Sequence, residues 1–109
     1  MRNYLGEMEL MVLLAVLRLG DDAYGVPISK ELQLIAKRDV GIGSIYAALE
    51  RLENKGLVSS SLGEPTPERG GRAKRYFQVT PNGIHALKTT RSALMNLWSG
   101  VPLWKGADR

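Results

Sequence analysis

Between Glu7 and Leu19 the chain reads EMELMVLLAVLRL, a run without glycine or proline that ends at Gly20. Met, Leu, Ala and Glu dominate it, so it is a helix by composition, and glycine is a good C-terminal stop. Leu10, Met11, Leu13, Leu14 and Leu17 leave little of its circumference for water. A helix that is apolar on nearly every side must be buried on two sides. The chain has 109 residues, enough for one core and too few for two independent ones. The second burying surface is therefore expected from another copy of the protein, with Met11 and Leu14 in the interface.

The rest of the chain punctuates itself. After GDDAYG, Pro27 suits the first turn of a second helix, and Ile28, Leu32 and Ile35 carry its helical spacing to about Lys37. A third helix is expected from about Ile42 to Lys55, with Ile45, Leu49 and Leu52 on one face and Gly56 as its stop. Its other face mixes Ser44, Tyr46, Ala47, Glu50 and Arg51, the small and hydrogen-bonding groups that a helix in a DNA major groove uses on base edges and phosphates. LVSSSLG and AKRYFQVT read as two strands of a long hairpin. Thr80 and Pro81 then supply a cap and first position for a final helix reaching about Ser99. Ile84, Leu87, Leu94, Trp98 and Val101 fall along that helix on an alternating three- and four-residue spacing interrupted by Arg91, a seam suited to a partner chain. The fold class is mainly α with a β-hairpin: a winged helix-turn-helix over residues 1–80, followed by a dimerisation helix and tail over 81–109.

Charge locates the function. The net charge is +4, yet residues 1–40 hold five cations against six acids and residues 41–64 hold two against three. Residues 65–80 hold four against one, packed into PERGGRAKRYF, and residues 81–109 hold four against one spread over a longer stretch. A hairpin loop with its basic surplus gathered around two glycines is offered to an anionic partner, and double-stranded DNA is the partner it suits best. Arg69, Arg72, Lys74 and Arg75 supply the charge, while Gly70 and Gly71 let the backbone approach a phosphate closely. The bland alternative is that these cations keep an exposed hairpin soluble. Another is a winged-helix module that meets an acidic protein in place of DNA. Tyr24 is expected to fill the space between the first two helices, and Glu50 to be a solvated helix charge.

There is no cysteine, and His85 is the single histidine, so neither a metal site nor a cofactor is expected. No nucleophile with a base and no paired-carboxylate cleft suggests an enzyme. GIGSIY lacks the strand and spacing of a phosphate-cradling loop. No segment approaches the roughly 20 apolar residues of a membrane span, and the N-terminus does not read as a signal peptide. A cytoplasmic protein without a membrane partner is expected.

LGEMELMVLLAVLRLGDDAYGVPISKEL, GSIYAALERLENKGLV and GGRAKRYFQVTPNGIHAL together resemble the PadR family of bacterial transcriptional regulators. The first resembles that family's opening helix and tyrosine-glycine turn, the second its recognition helix, and the third its wing and the start of its final helix. The likeness runs from about Leu5 to Leu97 and suggests the compact subgroup with one C-terminal helix. Gly41 departs from the family's usual serine cap, but glycine is an acceptable cap. The resemblance implies a homodimer, commonly a repressor, whose recognition helices enter successive major grooves while the wings touch flanking backbone or minor groove. It also implies a planar aromatic effector for some members, for which Trp98 could provide a stacking surface; the alternative is that Trp98 and Trp104 fill the dimer interface.

Overall fold

The computed structural model describes residues 5–64 and 73–102. Four helices and one hairpin follow in order: α1 Glu7–Leu19, a 3-10 turn Gly20–Asp22, α2 Gly25–Ala36, α3 Ile42–Asn54, β1 Val58–Leu62, β2 Arg75–Val79 and α4 Pro81–Trp98. Three of the boundaries have a plain local cause. Gly20 and Gly56 adopt positive φ where α1 and α3 end, a region open to glycine at little cost. At the start of α4, the Thr80 hydroxyl accepts the Gly83 N–H at 3.1 Å, and Pro81 occupies a position where a missing N–H costs nothing.

One core joins these elements. Val12, Leu13 and Val16 of α1 meet Ile28 and Leu32 of α2, with Ile45, Leu49 and Leu52 of α3 closing the cluster. Leu57, Val58 and Phe77 extend it under the hairpin. Full burial of one such side chain contributes about 1.5–3 kcal/mol. The hairpin pairs antiparallel with Val58 opposite Val79, Ser60 opposite Phe77 and Leu62 opposite Arg75. Side chains alternate across a strand, so Phe77 is buried while Gln78 is exposed. The Phe77 N–H donates to the Ala23 carbonyl at 2.8 Å. That bond ties the hairpin to the α1–α2 connection, a link that no local sequence signal announces.

Two close approaches depend on missing side chains. A Cβ on Gly25 would lie 2.6 Å from the Tyr46 hydroxyl oxygen, which explains the glycine after Tyr24. A Cβ on Gly83 would lie 2.2 Å from the Leu57 carbonyl oxygen and 2.6 Å from Val79 Cγ1. The first turn of α4 therefore rests directly on the turn that follows α3.

One expectation needs correction. Leu87, expected to face a partner, is 7% exposed and belongs to this chain's own core; helical spacing identifies an apolar position without saying which neighbour covers it. The expected seam thus divides, with Leu87 inward, Leu94 and Trp98 of α4 outward, and Val101 exposed beyond the helix end. Tyr24 has a contact that the spacing does not show: its ring meets Tyr76 of β2 edge-on, centroids 5.3 Å apart. Among the described residues, α1 keeps one apolar side open, with Leu14 45% exposed and Leu17 similarly so, the side expected from the sequence to meet another copy.

Candidate nucleic-acid interface

At 3.6 residues per turn, burial of Ile45, Ala48, Leu49 and Leu52 leaves an outward arc on α3. Ser44 and Arg51 lie along one edge of that arc and Tyr46 along the other, with Gly43, Ala47 and Glu50 between them. Gly43, Ser44, Ala47, Glu50 and Arg51 are all exposed. The middle of the arc carries little bulk, so another surface can approach the helix backbone there. The sequence places Glu50 on this face as a solvated charge but does not single out Gly43, whose lack of a side chain gives no signal of its own.

The two edges are held in different ways. Tyr46 is 40% exposed; its ring lies over Gly25 and is tilted against Phe77 at 6.3 Å between centroids. It is both an exposed aromatic and a spacer between α2 and the hairpin. At the other edge, the Arg51 guanidinium donates through Nε to Glu9 Oε2 at 3.1 Å. Lys55 Nζ donates to Glu9 Oε1 at 2.9 Å, and the Gly6 N–H reaches the same oxygen at 3.2 Å. Glu9 is a buried carboxylate at 6% exposure. Burial acts to raise its pKa, but the hydrogen bonds from Lys55, the Gly6 N–H and Arg51, together with the Lys55 charge, outweigh burial and hold the carboxyl below the usual range. Arg51 is therefore an anchored cation whose outer edge stays open to solvent.

Beside this edge is a depression of about 460 Å³ lined by Met8, Arg38, Val40, Gly41, Ser44 and Arg51 among others. Arg38 bonds Glu7 at its rim, at 3.1 Å. Gly41 caps α3 without a side-chain bond.

The stem of the hairpin carries two of the four expected cations. Lys74 Nζ sits 4.6 Å from the centre of the Tyr24 ring and 3.4 Å from its hydroxyl, a cation–π placement. Arg75 Nε donates to Ser60 Oγ at 3.1 Å, and its Nη2 lies 3.7 Å from Glu53 Oε1. Ser60 in turn donates to Glu53 Oε2 at 2.8 Å, so this chain of contacts fastens the hairpin to α3. Lys74 and Arg75 thus have internal partners as well as positive charge. Arg69, Gly70, Gly71 and Arg72 lie outside the described residues, as does Trp104.

Two apolar surfaces stand away from this face. A groove of about 360 Å³ between α1 and α2 is lined by Met11, Leu14, Leu17, Leu32 and Ile35, with the Arg18–Glu31 ion pair at its border. The second half of α4 exposes Leu94, Met95, Leu97 and Trp98, the last at 53%. The radius of gyration is 16.1 Å, against about 13 Å for a compact chain of about 100 residues, which marks an elongated molecule. Among the described residues, no group of three His, Cys, Asp or Glu side chains could hold a metal ion, and no helix is long and apolar enough to cross a membrane.

The model of the transcriptional regulator PadR-like family matches residues 13–89. No curated protein matches the sequence. Among solved structures, the chain is similar to a transcriptional regulator from Clostridium thermocellum, with 26% identity, 84% of each chain covered and a TM-score of 0.71. It is similar to a PadR-like transcription factor from Bacteroides fragilis, with 27% identity, 84% of each chain covered and a TM-score of 0.69. A PadR family transcription regulator from Clostridium difficile shares the fold at 23% identity and a TM-score of 0.65, over 87% of this chain and all of that one.

Proposed function

The chain belongs to the PadR-like family of transcriptional regulators, and from that premise we propose that it binds operator DNA as a homodimeric repressor. The observation that carries the reading is the outward arc of α3, where small residues at Gly43 and Ala47 are flanked by Ser44, Arg51 and Tyr46. A major groove admits a helix only where side chains do not hold it off, and base edges are read by groups at the borders of such a face. Ser44 and Tyr46 are assigned to bases, Glu50 to a cytosine amino group, and the outer edge of Arg51 to phosphate. The wing cations Arg69, Arg72, Lys74 and Arg75 are assigned to the flanking backbone, on the strength of their density around Gly70 and Gly71.

Residues 1–80 read DNA and residues 81–109 pair the chains, the first turns of α4 being shared because Ala86 and Leu87 lie in the common core. Leu94 and Trp98 of one copy seat against Met11 and Leu14 of the other. Support comes from one molecule carrying both an apolar groove and an apolar helix end that its own core leaves open. A planar aromatic effector stacked on Trp98 between the paired helices would release the operator.

Family membership makes the chain a regulator and not an enzyme, so the test is a binding one. A gel shift against the duplex upstream of the protein's own gene, at two salt concentrations, should give a complex that weakens steeply with salt. Failure to shift any duplex at low salt overturns the reading and leaves the basic hairpin to an acidic protein partner.

A further inference from the structure

The C-terminal end of α3 is gripped from two directions. From α1, the buried Glu9 carboxylate takes Arg51 at 3.1 Å and Lys55 at 2.9 Å while also capping its own helix at Gly6. From α4, the Thr80 hydroxyl donates to the Gly56 carbonyl at 2.7 Å while accepting the Gly83 N–H, and the Thr80 N–H donates to the Leu57 carbonyl at 3.0 Å. Gly83 then lies so close to Leu57 that not even a methyl group fits between them. By contrast, the N-terminal end of α3 has a glycine cap with no side-chain bond. The polar anchors of the helix therefore lie at the end away from Ser44, while its other end is held by the packing of Ile45 and Tyr46.

Both gripping helices also carry apolar surface that stays open, α1 through Met11 and Leu14, where Ile35 of α2 shares the groove, and α4 through Leu94 and Trp98. A buried carboxylate with three donors has a strong directional preference, since leaving any one of its oxygens unpaired carries a full desolvation cost. A hydroxyl that donates to one element and caps another fixes the angle between them. We infer that Glu9 and Thr80 are positioning residues that register the recognition helix against the two dimer-forming helices, and so set the distance and angle between the two recognition helices. This inference rests on the homodimer reading above. Neither residue needs to touch DNA. Each acts by making the arrangement of the pair a property of the dimer interface, because a functional group must be held within roughly 10–20° to be useful.

The chain has no cysteine, so Glu50→Cys places a single spin label on the exposed arc of α3, and the label-to-label distance in the dimer is measured by pulsed dipolar spectroscopy. Recognition helices that serve adjacent half-sites lie about 34 Å apart, within reach of that method. With no further change the distance distribution should be narrow. Adding Glu9→Gln or Thr80→Val should broaden it to about twice its width or shift its centre, because the supporting bonds are gone. Adding Thr80→Ser, which keeps the hydroxyl, should leave it narrow. Melting curves run alongside separate folding from positioning: a variant with a lower Tm but an unchanged distribution in its folded fraction overturns the inference. Unchanged width and centre in both Glu9→Gln and Thr80→Val do so as well. Absence of any dipolar signal in the singly labelled protein is a different failure, one that removes the homodimer itself and this inference with it.

Discussion

Replacing Gly83 with alanine sets two effects of opposite sign against each other. Gly83 lies within α4, where alanine favours the helix by about 1 kcal/mol over glycine. The new methyl carbon, however, would sit 2.2 Å from the Leu57 carbonyl oxygen and 2.6 Å from Val79 Cγ1. Both neighbours are firmly placed, the first being backbone that already accepts the Thr80 N–H and the second lying on β2. Relief requires α4 to withdraw by about 1 Å, which loosens Ala86 and Leu87 in the core and lengthens the Thr80 hydrogen bonds. Overpacking of a tight site costs about 1–3 kcal/mol, and an opening that large against backbone belongs at the upper end. After the propensity gain is subtracted, Gly83→Ala should destabilise the protein by about 1–2 kcal/mol. For a domain of this size that is a fall of roughly 4–15 °C in Tm. Thermal unfolding followed by circular dichroism at matched protein concentration measures it. A Tm equal to or above that of the parent would mean that α4 does not rest on the Leu57 turn, and the packing argument would be wrong.

Glu9 gives a pH prediction. Its folded pKa is lowered, so its contribution to stability is fully present above the ordinary glutamate value of about 4.3 and is lost as pH falls below that value through the lowered one; urea titrations of Glu9→Gln should show a flatter loss of stability in that acid window than the parent. Leu52→Ala, at a fully buried site, should cost about 2–5 kcal/mol, measured by the same titration. Trp98→Ala should weaken self-association, read by light scattering across a dilution series, with far less effect on the protomer's fold since the ring is half-exposed; an unchanged association constant counts against the proposed interface. Arg72→Ala should weaken binding to all duplexes alike and lower the salt slope by about 0.9 for each phosphate that is no longer neutralised, whereas Ser44→Ala should chiefly change which duplex is preferred.

The helices and strands were legible because their ends carry local chemistry. Gly20 and Gly56 stop α1 and α3, Thr80–Pro81 starts α4, and the buried stripe Ile45, Leu49, Leu52 repeats at helical spacing. Local signals do not reach across the fold. Glu9 and Lys55 are 46 positions apart, and nothing near either one announces that they meet. The same limit hid the Ala23 carbonyl bonding to β2 and the inward turn of Leu87. Tyr46 could be placed off the buried stripe from its spacing alone, but its contact with Gly25 depended on where α2 enters. On the outward arc, Ser44, Ala47 and Arg51 followed from the helical period, while the Glu9 anchor on Arg51 did not.

The central claim is that two copies place two α3 faces on one side of a duplex. Hydroxyl-radical footprinting of the full chain on the DNA upstream of its own gene tests it most directly. The account predicts two protected patches related by a two-fold axis, their centres about 10 base pairs or a multiple of that apart, with weaker protection outside them from the wings. A single protected patch, or uniform protection without a preferred position, would contradict it.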